Sequence, residues 1–174
     1  ELIGKQIGQQ VIVENLGGAT GTIGARKVLT SPADGYYIFQ GSQNETVLAP
    51  LVNKAVPYAS SDFKMLQPTN HTVLVLLVRK GLQVNTLDEF IDLAKNKKSE
   101  PLTYGSVGVG SGFHLITEHL ANKIGTQFLH VPYQGSAAVI QDLAGGQIDF
   151  AVLPYQNSMS SLEHDGRLKV LSSL

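Results

Sequence analysis

The stretch Leu102-Thr103-Tyr104-Gly105-Ser106-Val107-Gly108-Val109-Gly110-Ser111-Gly112-Phe113-His114 decides the fold. Leu102 to Tyr104 reads as a strand, Gly105 to Gly112 as a loop, and Phe113 to about Ile124 as a helix. Downstream the order repeats. Phe128 to Val131 is a strand, Pro132 to Ser136 a loop and Ala137 to Ala144 a helix, and Gly145-Gly146 turns the chain into a strand over Ile148 to Leu153. Consecutive βα units predict an α/β fold with parallel strands, whose ligands sit at the carboxyl ends of strands where loops enter helices.

Upstream, Thr86-Leu87-Asp88-Glu89 has the S/T-x-x-E form of a capping box and opens an amphipathic helix through Ala94. Thr72 to Arg79 is apolar almost without alternation, which predicts a central strand buried on both faces. Earlier still, Glu1 to Ile7 reads as the last turns of a helix with Gly8 as C-cap, leading to a strand at Val11 to Val13. A glycine-rich turn over Glu14 to Gly24, a helix over Thr22 to Leu29 and the turn Ser31 to Gly35 follow. Tyr36 to Phe39 is then a strand ending in the polar cluster Gly41-Ser42-Gln43-Asn44-Glu45, with Thr46 to Val52 helical and Pro57 to Phe63 a turn-rich connection. The boundary between two segments is placed after Val78, giving 1–78 and 79–174.

Composition bounds the function. The 174 residues are 43% hydrophobic and 16% charged, enough for a packed core. Thirteen basic residues face fourteen acidic ones, and the split at Val78 leaves five against five and then eight against nine, so neither part has the basic excess that nucleic-acid binding needs. The longest apolar run, Val73 to Val78, is far below the roughly 20 residues of a membrane span. With no cysteine, thiol nucleophiles and cysteine zinc sites are excluded. The first residues carry no initiator Met and no basic-then-apolar leader, so any signal peptide is expected to have been removed.

The glycine loop spells G-x-x-G-x-G-x-G, not the G-x-G-x-x-G of dinucleotide sites, and no Lys-Ser or Lys-Thr follows to make a phosphate loop. Gly110-Ser111-Gly112 is not a G-x-S-x-G elbow. What the loop offers is unhindered N–H groups and hydroxyls at a helix start, suited to a small anion; the alternative is a turn with solvated serines. His114 and His119 are five apart and do not share a helix face, so no metal site is expected. His114 caps or lines the loop before it, and His130, in a strand, reads as a hydrogen-bonded structural histidine. Asp149 either orients a neighbouring loop or completes its turn.

Several of these stretches together resemble a known family: Glu14-Asn15, Gly18-Ala19 and Gly21-Thr22-Ile23-Gly24; Pro32-Ala33-Asp34-Gly35-Tyr36; Tyr104-Gly105-Ser106 with Gly108-Val109-Gly110-Ser111 and His114-Leu115; His130-Val131-Pro132-Tyr133 with Gly135; and Asp142-Leu143 with Gly145-Gly146-Gln147-Ile148-Asp149. In order along nearly the whole chain, they resemble the substrate-binding proteins of tripartite tricarboxylate transporters, the Bug-type receptors. The resemblance implies a type II periplasmic binding protein-like α/β fold, with two lobes, mainly parallel sheets and a chain incomplete at both ends. It implies a monomeric periplasmic receptor, not an enzyme, without cofactor, that closes on a small organic carboxylate and works with membrane transporter subunits. A Rossmann-like enzyme and a ligand-sensing regulatory domain acting on a small anionic metabolite are the alternatives.

On that reading Ala19, Thr20 and Gly21 line the cleft with Ser42 and Gln43. The glycine loop adds Ser106, Gly108, Gly110, Ser111 and His114, and Tyr133, Gly135 and Ser136 form a facing wall; Asp149 is also assigned to the ligand. The loops 17–22, 41–44, 106–111 and 132–136 contain no Lys or Arg, so a carboxylate there must meet neutral donors and helix N-termini. Ser106 and Ser111 are expected to donate directly. The hinge is expected at Val78-Arg79-Lys80, with the chain crossing back near Leu171 to Leu174.

Overall fold

The computed structural model describes residues 2–97 and 99–174. The apolar run predicted as a buried central strand is β1 (Leu74–Arg79), with Val75 to Val78 buried; it is an interior strand of the sheet, one place from its edge. Three short helices, α1 (Leu2–Ile7), α2 (Thr22–Thr30) and α3 (Ala49–Val52), precede it. α4 (Leu87–Asn96) follows β1 and is started by the capping box. Thr86 Oγ1 accepts from the Glu89 N–H at 3.2 Å, while the Glu89 carboxylate reaches back to the N–H of Asn85, one residue before the cap. β2 (Thr103–Ser106) leads to α5 (Gly112–Ile124), β3 (Leu129–Pro132) to α6 (Ser136–Ala144), and β4 (Phe150–Pro154) to α7 (Asn157–His164) and β5 (Leu168–Ser173). The two βα units and the strand after them that the sequence predicts are therefore present, and the structure adds α7 and β5 beyond them.

The five strands form one sheet in the order β3-β2-β4-β1-β5. β2 runs parallel to β3 and β4, whereas β1 is antiparallel to both β4 and β5. Four strands thus point one way and only β1 is reversed. On one face Val75 and Leu77 pack with Val139, Ile140 and Leu143 of α6 and Met159 of α7. On the other, Leu76, Val78 and Phe150 pack with Phe90 and Ala94 of α4, and Leu120 and Ile124 of α5 lie against them. Each of these larger apolar side chains contributes about 1.5–3 kcal/mol when fully buried. This two-sided cover is why β1 shows no alternation.

Because β1 lies between β4 and β5, the segment boundary expected after Val78 falls inside a paired strand. The chain enters the sheet at Leu74 and leaves it beside the same point, where the Leu174 N–H donates to the Leu74 carbonyl at 2.9 Å. The hinge expected at Val78-Arg79-Lys80 lies at the other end of this strand, where the Lys80 N–H bonds to the Arg167 carbonyl at 3.1 Å. Of the two predicted crossings only the return near Leu171 to Leu174 is at the edge where chain enters from the earlier residues.

The residues before Leu74 are organised differently. α1 is followed by Gly8 with a left-handed backbone (φ 66°), as its sequence predicted; Glu1, assigned to the same helix, lies outside the described residues. A π-helical turn, Asn44–Leu48, runs into α3. The strands predicted at Val11 to Val13 and Tyr36 to Phe39 are unpaired among the described residues. β-propensity favours an extended backbone, but a strand needs a ladder partner.

Candidate functional site

The carboxyl ends of β2, β3, β4 and β5 and the start of β1 share one edge of the sheet, as the registers Leu74 with Pro154 and Val75 with Ser173 require. At this edge Ser106 ends β2. It is fully buried, and its hydroxyl is already engaged: Oγ lies 2.7 Å from His130 Nε2, donates to the Gly108 carbonyl at 3.1 Å and accepts from the Gly108 N–H at 3.2 Å. Ser106 shapes the loop from within, in place of the direct donor role expected of it. Ser111 is the N-cap of α5, also fully buried, and its Oγ accepts from the His114 N–H at 3.3 Å. The Gly110 N–H in turn donates to His114 Nδ1 at 3.3 Å, so His114 does line the loop before it.

Beneath the loop lies a ring cluster. The His130 ring stacks on Tyr104 at 4.8 Å and meets His114 at 4.5 Å, and the Tyr104 hydroxyl donates to Glu118 Oε1 at 2.7 Å. Burial, then the neighbouring His114, lowers the pKa of His130, with Glu118 pulling the other way. Burial, then Glu118, raises that of Tyr104. His114 and Glu118, four residues apart in α5, share a helix face and use it on this cluster. Among the described residues no group of three or more His, Asp or Glu is placed to hold a metal ion.

At the end of β3, the Tyr133 hydroxyl donates to Asp142 Oδ2 at 2.8 Å, and its pKa is pushed up to about 12 by burial and then by this bond. Gly135 is the N-cap of α6 and Ser136 its first residue. Two helix N-termini, those of α5 and α6, thus open on the same edge.

The earlier residues meet this edge from outside. Thr20 Oγ1 stands 3.0 Å from where a Cβ on Gly108 would be, and Gly17 approaches the Gln134 carbonyl, 3.8 Å from its own would-be Cβ. Ala19 and Thr20 adopt left-handed backbone (φ 48° and 56°), a strained conformation for residues with a Cβ. Gly21 abuts the Glu45 side chain, whose carboxylate accepts from both the N–H and the hydroxyl of Ser42; Gln43 is exposed. The Asn44 side chain reaches the start of α5.

Asp149 is the exception among the predicted site residues. It lies at the opposite edge, before β4, where its carboxylate takes Arg79 Nε at 2.9 Å, the Thr103 N–H at 2.8 Å and the Thr103 hydroxyl at 3.0 Å. Burial alone would raise its pKa, but the Thr103 N–H, Arg79 and the Thr103 hydroxyl outweigh it and hold it below the usual carboxylate range. It orients the start of β2 and has no part at the candidate site. Its pairing also commits Arg79 far from the loops.

Sequence reasoning passed over Glu45 and Tyr104. Tyr104 was hidden inside a short strand pattern, and the one signal for Glu45 was an acid placed among small polar residues.

Comparison with known proteins identifies the family and the fold. A family model described as the tripartite tricarboxylate transporter family receptor matches residues 1–174. A UPF0065 protein of Bordetella pertussis is 30% identical over 170 residues, covering 98% of this chain and 52% of that protein. The R. palustris Rpa4515 structure with adipate is 28% identical with a TM-score of 0.87, covering 98% of this chain and 57% of that one. The periplasmic binding protein BugD is 26% identical with a TM-score of 0.75, covering 98% of this chain and 56% of that one. The chain spans about half the length of the curated relatives it matches.

Proposed function

Because the chain belongs to the tripartite tricarboxylate transporter receptor family, we propose that it serves in a periplasmic solute receptor. It captures a small organic carboxylate between two lobes and passes it to the subunits of a membrane transporter, making and breaking no covalent bond. The receptor acts as a monomer and is exported by a leader. One lobe includes the residues before Leu74 and the other is built on the sheet from Leu74 onward, with closure turning about the adjacent chain crossings at Val73-Leu74 and Leu174.

The observation that carries this reading is the charge pattern of the shared edge. The N-termini of α5 and α6 open there, beside loops without Lys or Arg, while Arg79 is paired with Asp149 on the far side. Oriented N–H groups and helix dipoles hold a carboxylate under these conditions. Thr20, Ser136 and the N–H groups at the start of α6 are the contacts we assign, while Ser106, Ser111 and His130, all committed to partners within the loop, keep it in shape.

Calorimetric titration of the protein expressed from its complete coding region, with adipate and with citrate, tests the reading. Binding of either, with contraction of the scattering profile on saturation, is expected. A bound carboxylate paired with Arg79 or Lys80, or a tightly held nucleotide in place of any carboxylate, overturns it.

A further inference from the structure

The glycines at 108, 110 and 112 each face a side chain from before Leu74. A Cβ on Gly108 would stand 3.0 Å from Thr20 Oγ1, one on Gly110 2.9 Å from Val52 Cγ2, and one on Gly112 3.2 Å from both Asn44 Oδ1 and Leu48 Cδ1. The alternate spacing therefore forms a bare strip on which the earlier residues are seated. Gly108 and Gly110 also have positive φ, 125° and 79°, so glycine is required there on two counts. Gly112, the first residue of α5, isolates the close approach. Its N–H is one of those at a helix start with no acceptor inside the helix. It donates instead to Asn44 Oδ1 at 2.8 Å, across 68 residues of sequence.

Asn44 is itself held in place. Its N–H donates to Ser42 Oγ at 3.2 Å, and the same hydroxyl donates to Glu45 Oε2 at 2.9 Å. Its carboxamide takes the helix N–H without laying a negative charge beside the place where an anionic ligand would come, which an aspartate would do.

We infer that Asn44 is a positioning residue that latches the two lobes together: its carboxamide oxygen docks on the Gly112 N–H and seats the earlier residues on the glycine strip, completing the cleft. The inference rests on the two-lobe receptor reading, and its test separates the two. In the 174-residue chain, hydrogen exchange at the Gly112 amide reports the latch directly. Asn44→Ala should speed it about 3- to 10-fold, the usual range for one lost hydrogen bond, and Asn44→Asp, which keeps the acceptor, should restore protection. In the complete protein, Asn44→Ala should speed adipate release by a similar factor, whereas Asn44→Asp should weaken adipate binding with the latch intact. Should Asn44→Ala not fold, Gly112→Ala forces the same contact from the other side and should show both effects. Unchanged Gly112 exchange in Asn44→Ala overturns the latch, as does faster exchange with unaltered adipate release. Should the wild-type protein take up no carboxylate, the receptor reading fails, and loss of protection with rescue by Asp upholds the lobe contact while its absence overturns it.

Discussion

Phe150 and Ile12 are both large apolar residues in stretches that read as strands, yet Phe150 is wholly buried and Ile12 is 78% exposed. Phe150 lies in β4 with β2 and β1 on either side and the rings of Phe90 and Phe128 against it at 5.0 and 4.7 Å. Ile12 has no ladder partner among the described residues. The contrast extends to the whole of each region: apart from Ala25 and Ala49, every buried apolar residue among those described lies at or beyond Val75. The earlier region is tied together by the rings of Phe39, Phe63 and Tyr58 and by polar contacts around Glu45, which binds Ser42, abuts Gly21 and, through its carbonyl, accepts from the Tyr58 hydroxyl at 2.7 Å. A sheet covered on both faces makes its own core; an extended segment without a neighbour cannot.

The comparison can be broken most sharply at Phe150. Phe150→Ala should cost about 3–5 kcal/mol of unfolding free energy in urea, because a ring is lost from a core that cannot fully collapse. A loss below about 1 kcal/mol would mean the sheet region is no better packed than the rest. Asp149→Ala comes next. It strands Arg79 and the Thr103 N–H and should cost about 1.5–3 kcal/mol, the range for hydrogen bonds to a charged group. Since the native pKa of Asp149 is lowered, its stabilisation is full above the unfolded value of about 3.9 and fades as pH falls through the native one. The variant should therefore lose less stability than the wild type between neutral pH and that acid range, and parallel acid unfolding curves would count against the assignment.

Thr20→Gly sharpens the contrast from the other side. Relief of a left-handed β-branched residue should gain about 1 kcal/mol, read as slower hydrogen exchange over residues 18–22. Faster exchange there would show that the Thr20 contact with Gly108 outweighs the strain. A smaller effect is expected at His130. Its lowered pKa means the native state resists protonation, so stability should begin to fall as pH drops below the unfolded value of about 6.5 and continue to the native pKa. His130→Gln should reduce the drop between about pH 7.5 and 5.5, which brackets that unfolded value, and an identical drop by chemical denaturation would remove His130 from the acid response. Smallest of all, Tyr36→Ser in the 174-residue chain should change unfolding free energy by no more than about 0.5 kcal/mol, because Tyr36 is 89% exposed. A larger loss would reveal packing in the earlier region that its exposure does not suggest.

Much of the architecture was legible in the residues themselves. The unalternating run at Leu74–Arg79, the Thr86 cap and the strand–loop–helix repeats carry local information, since capping, helical periodicity and two-sided burial each act over a few residues. The glycine loop was correctly placed at the start of a helix on the same grounds, and the lack of Lys and Arg in the site loops needs no coordinates. Partnership was not legible. That β1 runs against its neighbours, that Asp149 belongs to Arg79 at the far edge, that Ser106 spends its hydroxyl on His130 and Gly108, and that Asn44 meets Gly112 were decided by tertiary structure alone. Each is a pairing between residues distant in sequence, and a residue's own propensity constrains its backbone without specifying which group will stand opposite its side chain.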